Sequence, residues 1–136
     1  GIPMKSKEMV KAFGEKIANK KEFKEEFRSF LHTIMIENES VPVVCRDLLR
    51  KLLHTKVLEN LSEVEKVTTV CVPHVIKEIM VSVLKRQFPE ENNKSLFEKL
   101  SKTIKRYKSD LATNRKRKAL RREKFKAKQE NAAATS

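Results

Sequence analysis

Apolar side chains recur along this chain at helical spacing. Met9, Val10, Phe13 and Ile17 share one side of a helix that Ser6 can cap. Phe23, Phe27, Phe30, Leu31 and Ile34 follow at intervals of 4, 3, 1 and 3, the stripe of a helix with one face on a core. Asn19 and Glu22 precede it at capping-box spacing. Glu37 to Ser40 breaks the pattern, and Pro42 suits the first turn of a new helix, where its missing N–H has no partner to lose. That third helix carries Val44, Cys45, Leu48, Leu49, Leu52 and Leu53, the most apolar face to this point. It is expected at the centre of the core.

Residues 54–73 carry two conflicting signals. Leu58, Leu61, Val64 and Val67 keep a helical interval, with Asn60 and Glu63, or Ser62 and Glu65, as a capping pair. Val67 to Val72 is rich in β-branched residues, which lean towards strands. No second strand-like segment is visible to pair with it, so a short helix is the expectation and an extended segment the alternative. Pro73 opens a fifth helix with Val75, Ile76, Ile79, Met80, Val83 and Leu84, and Pro89 stops it. Ser95 with Glu98 makes a capping box for a last helix, whose Phe97, Leu100, Ile104, Tyr107 and Leu111 are spaced 3, 4, 3 and 4.

The stripe then ends, because Asn114 and Lys118 take the next positions. From Thr113 onward the residue types still suit a helix. Without an apolar face, a helix of this length is marginal in water. The segment is therefore expected to fray when free and to order on a partner. The predicted fold class is all-α: a compact bundle of five or six helices, or the same helices as stacked hairpins, with a basic helical extension at the C-terminus. Residues 1–5 are expected to be a cloning remnant or disordered. Residues 6–111 would form the bundle, 112–130 the basic arm, and 131–136 a disordered end.

Composition supports that architecture. Two glycines in 136 residues leave little material for hairpins or phosphate loops. The net charge of +13 points to an anionic partner, nucleic acid first among them. Residues 113–136 hold nine Lys or Arg against two acidic residues. The cations are Arg115, Lys116, Arg117, Lys118, Arg121, Arg122, Lys124, Lys126 and Lys128, and on a helix they would surround the rod. Such a rod can lie along phosphates, releasing counterions without reading bases. The plainer readings are a nuclear-import signal, for which Arg115 to Lys118 with Arg121 and Arg122 would suffice, or a solvated tail. Membrane binding is disfavoured, since Leu120 and Phe125 share no face.

Other chemistry is thin. Cys71 and His74, with Cys45 and His54 more distant, have the residue types of a zinc site but not its paired spacing. Both cysteines sit in apolar runs, where a free thiol acts as a small hydrophobe. No metal, cofactor or small-molecule substrate is expected. His32 and the other two histidines are read as residues of helix ends or core edges. No phosphate loop, H-E-x-x-H or glycine-flanked nucleophile is present, so an enzyme is not expected. The longest apolar stretches, such as Ile79 to Leu84, fall far short of the ~20 residues that cross a bilayer.

The phenylalanines at 23, 27 and 30 are read as core before groove. The dense apolar residues Val70, Val72, Val75, Ile76, Ile79 and Met80 are instead expected to leave a patch for a protein partner. No run of residues is diagnostic of a family. In outline, a helical bundle with a Lys/Arg-rich extension resembles adaptor domains of transcription-elongation proteins and modules of ribosome-assembly factors, and no residue role is carried over from either. The expected protein is a non-enzymatic nuclear or nucleolar module that binds a protein through the bundle and RNA or DNA phosphates, or an acidic protein surface, through the arm. A pure adaptor with an import signal and a structural ribonucleoprotein subunit are the alternatives.

Overall fold

The computed structural model describes residues 2–107. Among these, six helices and no strands are present, and the all-α expectation holds. The helices are α1 (Lys7–Asn19), α2 (Lys21–Ile34), α3 (Val41–Leu52), α4 (Thr55–Leu58), α5 (His74–Gln87) and α6, which takes in residues 93–107. Helices α1, α2 and α5 pack against one another.

Local chemistry explains most of the boundaries. Ser6 caps α1, its Oγ accepting the Met9 N–H at 3.2 Å. The capping box expected at Asn19 does not form. Lys20 donates its N–H to the Lys16 carbonyl (2.9 Å), so Asn19 stays inside α1 and the extended Lys20 separates the two helices. Asn38 adopts φ 62°, a left-handed conformation that asparagine tolerates, in the turn before α3. Pro42 then lies in the first turn of α3. Pro73 is the N-cap of α5, which stops at Gln87 ahead of Pro89. The cap of α6 is Asn92 and not Ser95, for Asn92 Oδ1 accepts the Ser95 N–H at 2.7 Å. The Ser95 hydroxyl donates to Glu91 Oε2 (2.6 Å).

Residues 59–72 correct the expected short helix. Helix α4 is a single turn, and Leu61 and Val70 form an isolated parallel bridge. Ser62 donates to the Val70 carbonyl (3.0 Å) and Val70 to the Asn60 carbonyl (2.8 Å). The Thr69 hydroxyl accepts the Lys66 N–H (2.7 Å) and donates to the Val64 carbonyl (2.9 Å). Local bonds of this kind satisfy the backbone without a helix. The apparent stripe was misleading because Val64 and Val67 face solvent, at 60% and 95% exposure. The Glu63–Lys77 ion pair (2.9 Å) and the Lys7 ammonium on the Lys66 carbonyl (2.9 Å) hold this segment to α5 and α1.

The core is centred where the sequence pointed, with Val44, Cys45, Leu48, Leu49, Leu52 and Leu53 of the α3 region all buried. Residues 2–5 correct another expectation, because they belong to the fold. Met4 is buried, donates its N–H to the Leu52 carbonyl (2.9 Å) and accepts the His54 N–H (2.9 Å). Burying a side chain of this size is worth about 1.5–3 kcal/mol. The reason is tertiary: the chain end of α3 leaves backbone groups that a segment outside it can pair.

Candidate functional site

The nine cations of the expected arm, Arg115 to Lys128, lie outside the described residues. What is described is their approach. Helix α6 packs Leu96, Leu100, Ile104 and Tyr107 into the core, so the chain is anchored up to eight residues before Arg115. Burial pushes the Tyr107 phenol up, opposed by the charges of Arg50 and Arg46. Lys99 lies a turn or two earlier, where its ammonium bonds Glu91 Oε1 (2.5 Å) and its charge acts on the Cys45 thiol.

The partner patch expected at residues 70–80 is corrected by packing. Val70, Val72, Ile76, Ile79 and Met80 are core residues, exposed by 7% or less, and Val75 is half-buried. One core does cover them: Gly14 of α1 meets Pro73, Leu49, Leu52 and Leu53 meet Val72, Ile76 and Met80 around a small void, and Glu63 of the segment 59–72 pairs with Lys77. Density of apolar residues signalled the centre of the fold and not a surplus.

The chain matches no family model, no curated protein and no solved structure. The functional reading therefore rests on the charge of the sequence and on the described residues alone.

The surface apolar feature lies instead between α1 and α2. Phe13 meets Phe23 and Phe27 edge-on, with ring centroids 5.2 and 5.0 Å apart. Phe27 is buried, Phe23 half-buried and Phe30 38% exposed. With Ile2, Met9 and Ala12 they line an open groove of about 670 Å³. Lys16 stands over the Phe23 ring, 4.2 Å from its centroid, and Glu26 also lines the groove. The stripe read as core thus divides, with Phe27 and Leu31 in the core and Phe30 at the groove. A single sequence could not divide it, since the path of α1 across α2 decides which ring is covered.

The histidines and cysteines take separate places. Cys45 is wholly buried, and burial pushes its thiol up to about 12. Cys71 is half-buried, and burial, then Glu65 and Glu63, push its thiol up. His54 caps α4, its Nδ1 accepting the Lys56 N–H at 3.2 Å. His74 Nε2 is 2.8 Å from Glu78, and its ring packs on Phe97 with centroids 5.3 Å apart. Among the described residues no group of three His, Cys, Asp or Glu is arranged to hold a metal ion. No described helix is long and apolar enough to cross a membrane.

Proposed function

We propose that this protein is a non-enzymatic helical module that binds nucleic-acid phosphates through the basic run 115–128, and that it works in the nucleus. The observation that carries the reading is the charge of that run: nine Lys or Arg against a single acidic residue, Glu123. Arginine forks and lysine point charges suit phosphate oxygens, and each contact releases a counterion. No base edge needs to be read, so the binding is tight at low salt and tolerant of sequence.

The bundle supplies an anchored base for this run. Helix α6 is held by four buried side chains and ends its described course at Tyr107. A cationic segment joined to a rigid body places whatever else the body binds beside the nucleic acid.

The test is a titration of labelled single-stranded RNA and duplex DNA at several salt concentrations. A variant with all nine cations changed to Gln is compared with the unaltered chain. If about five phosphates are contacted, log K falls against log salt with a slope of about −3.5 to −4.5. The variant should lose most of the affinity. Equal, weak binding by both forms would sink the reading.

A second reading is favoured by the groove between α1 and α2. Exposed Phe30 beside Phe13 and Phe23 suits the apolar face of a partner helix, laid in with anchors at helical spacing. The protein would then be an adaptor, and the basic run an import signal. Changing Phe30 to Asp should abolish such docking and leave nucleic-acid affinity unaltered, whereas loss of both would argue against separate surfaces.

A further inference from the structure

The groove between α1 and α2 does not end at its rings. Lys16, Phe23 and Glu26 also line a second hollow, which continues the groove to the corner where α1 passes into α2 and adds Lys20, Lys21 and Glu22. One surface is thus apolar along its length and charged at its corner. Lys16, Lys20 and Lys21 are all exposed there.

The lining follows helical spacing on both sides. Met9, Ala12, Phe13 and Lys16 of α1 stand at i, i+3, i+4 and i+7, and Phe23, Glu26, Phe27 and Phe30 of α2 repeat that interval. Each helix therefore turns one side to the groove. From Met9 to Lys20 the α1 wall runs about 16 Å, room for roughly three turns of an occupant helix. Ala12, small and exposed, lets such a helix come close.

The charge of the corner selects among helices. Its lysines outnumber its carboxylates three to two. Among the described residues no ion pair joins Lys16, Lys20 or Lys21 to Glu22 or Glu26. A carboxylate arriving from outside can take these ammonium groups without separating an existing pair. The body carries the same sign, since residues 2–107 hold 21 Lys or Arg against 15 Asp or Glu. Such a surplus steers acidic partners to the surface and holds basic ones off.

Nucleic acid fits the groove less well. Bases stack on open ring faces. Phe13 is packed edge-on against Phe23 and Phe27, and Lys16 lies over the Phe23 ring, so Phe30 is left alone for stacking. Ile2, Met9 and Ala12 complete an aliphatic wall suited to Leu or Ile side chains.

We propose that the α1–α2 groove takes an acidic amphipathic helix, whose apolar row lies against Phe13, Phe23 and Phe30 and whose carboxylates, at one end of the row, pair with Lys16, Lys20 and Lys21. The proposal rests on the partner-helix reading above and names the chemistry of that partner. Apolar burial supplies the affinity. The lysine corner chooses acidic over basic helices and fixes which end of the helix lies there.

The test uses the full chain and a second form of it with all nine tail cations changed to Gln, which separates attraction to the basic run from attraction to the groove. The probes are fluorescein-labelled helical peptides of about four turns. Each has Leu at i, i+4, i+7 and i+11, and carries four Glu at one end or the other, four Lys, or four Gln. In both forms of the protein an acidic peptide should bind at least about fivefold more tightly than the Gln peptide by fluorescence polarisation. K20E/K21E should remove that advantage and pass it to the Lys peptide. Lys20 precedes α2 and Lys21 opens it, where glutamate suits the helix dipole and leaves the fold intact. In the Gln form Phe30→Asp should abolish binding of every peptide. An acidic advantage that persists in K20E/K21E, or that disappears with the tail cations, overturns the proposal. The partner-helix reading outlives that result if Phe30→Asp still abolishes binding, and both fall if no peptide binds. Loss of RNA affinity in Phe30→Asp would give the groove to nucleic acid and overturn the proposal as well.

Discussion

Gly14 of α1 lies so close to Pro73 that a Cβ added to it would stand 2.7 Å from the proline Cγ. The contact sets how deeply α1 seats on the start of α5. Glycine costs a helix interior about 1 kcal/mol relative to alanine. Here the absent side chain lets two elements approach, and the obstacle is a rigid ring and not the end of a mobile side chain. Gly14→Ala should therefore destabilise by about 1 kcal/mol despite its better helix propensity, since overpacking typically costs about 1–3 kcal/mol. Urea unfolding of Gly14→Ala, Pro73→Ala and the double variant measures the coupling. A double variant no more stable than the sum of the singles predicts would contradict the contact.

Met4 makes a second case. Its side chain is in the core and its backbone bonds the end of α3 on both sides. Met4→Ala should cost about 2–5 kcal/mol. A loss under about 0.5 kcal/mol in urea unfolding would mean that residues 2–5 do not belong to the fold.

Val67 and Val70 should respond oppositely to charge. Val67 is exposed at the turn and Val70 is buried at the bridge with Leu61. Val67→Lys should change stability by less than about 0.5 kcal/mol. Val70→Lys buries an unpaired ammonium and should leave little folded protein at 37 °C. Circular dichroism at two temperatures separates the pair, and equal effects would point to a helix through this region.

His32 should make stability depend on pH. Burial first, then the charges of Arg86 and Arg28, hold its imidazole below the ordinary value of 6.5. The unfolded chain takes up a proton near pH 6.5 while the folded chain resists it. The contribution is thus present above that pH and lost as pH falls through 6.5 towards the folded value. The thermal midpoint should drop between pH 7.5 and 5.5, and the drop should be smaller in His32→Gln. A steeper fall in the variant would reverse the assignment.

The two thiols should differ in access to a disulfide reagent at pH 8. Cys45 is enclosed and its thiol is raised to about 12, while Cys71 is half-buried beside the 59–72 segment. Cys71 should react in the native protein and Cys45 only on unfolding. Equal native rates, followed by mass after digestion, would place Cys45 outside the core.

Much of the fold was legible in the chain. Stripes at 3.6-residue spacing, two prolines at helix starts, one just after a stop and the serine cap of α1 specify helices through local sterics and hydrogen bonding, which act within a few residues. The charge of 115–128 is likewise a property of composition, and it bounds the partner to something anionic. Other features needed the assembled bundle. Val64 and Val67 have helical spacing yet face water, because Thr69 and the Leu61–Val70 bridge satisfy that backbone another way. Phe27 and Phe30 look alike in the stripe, and only the seat of α1 makes one core and the other groove. The apolar density at 70–80 promised a surface and proved to be interior. Tertiary packing alone joins the buried faces of α3 and α6 in one core, because burial sums over neighbours in space and a linear chain does not list them.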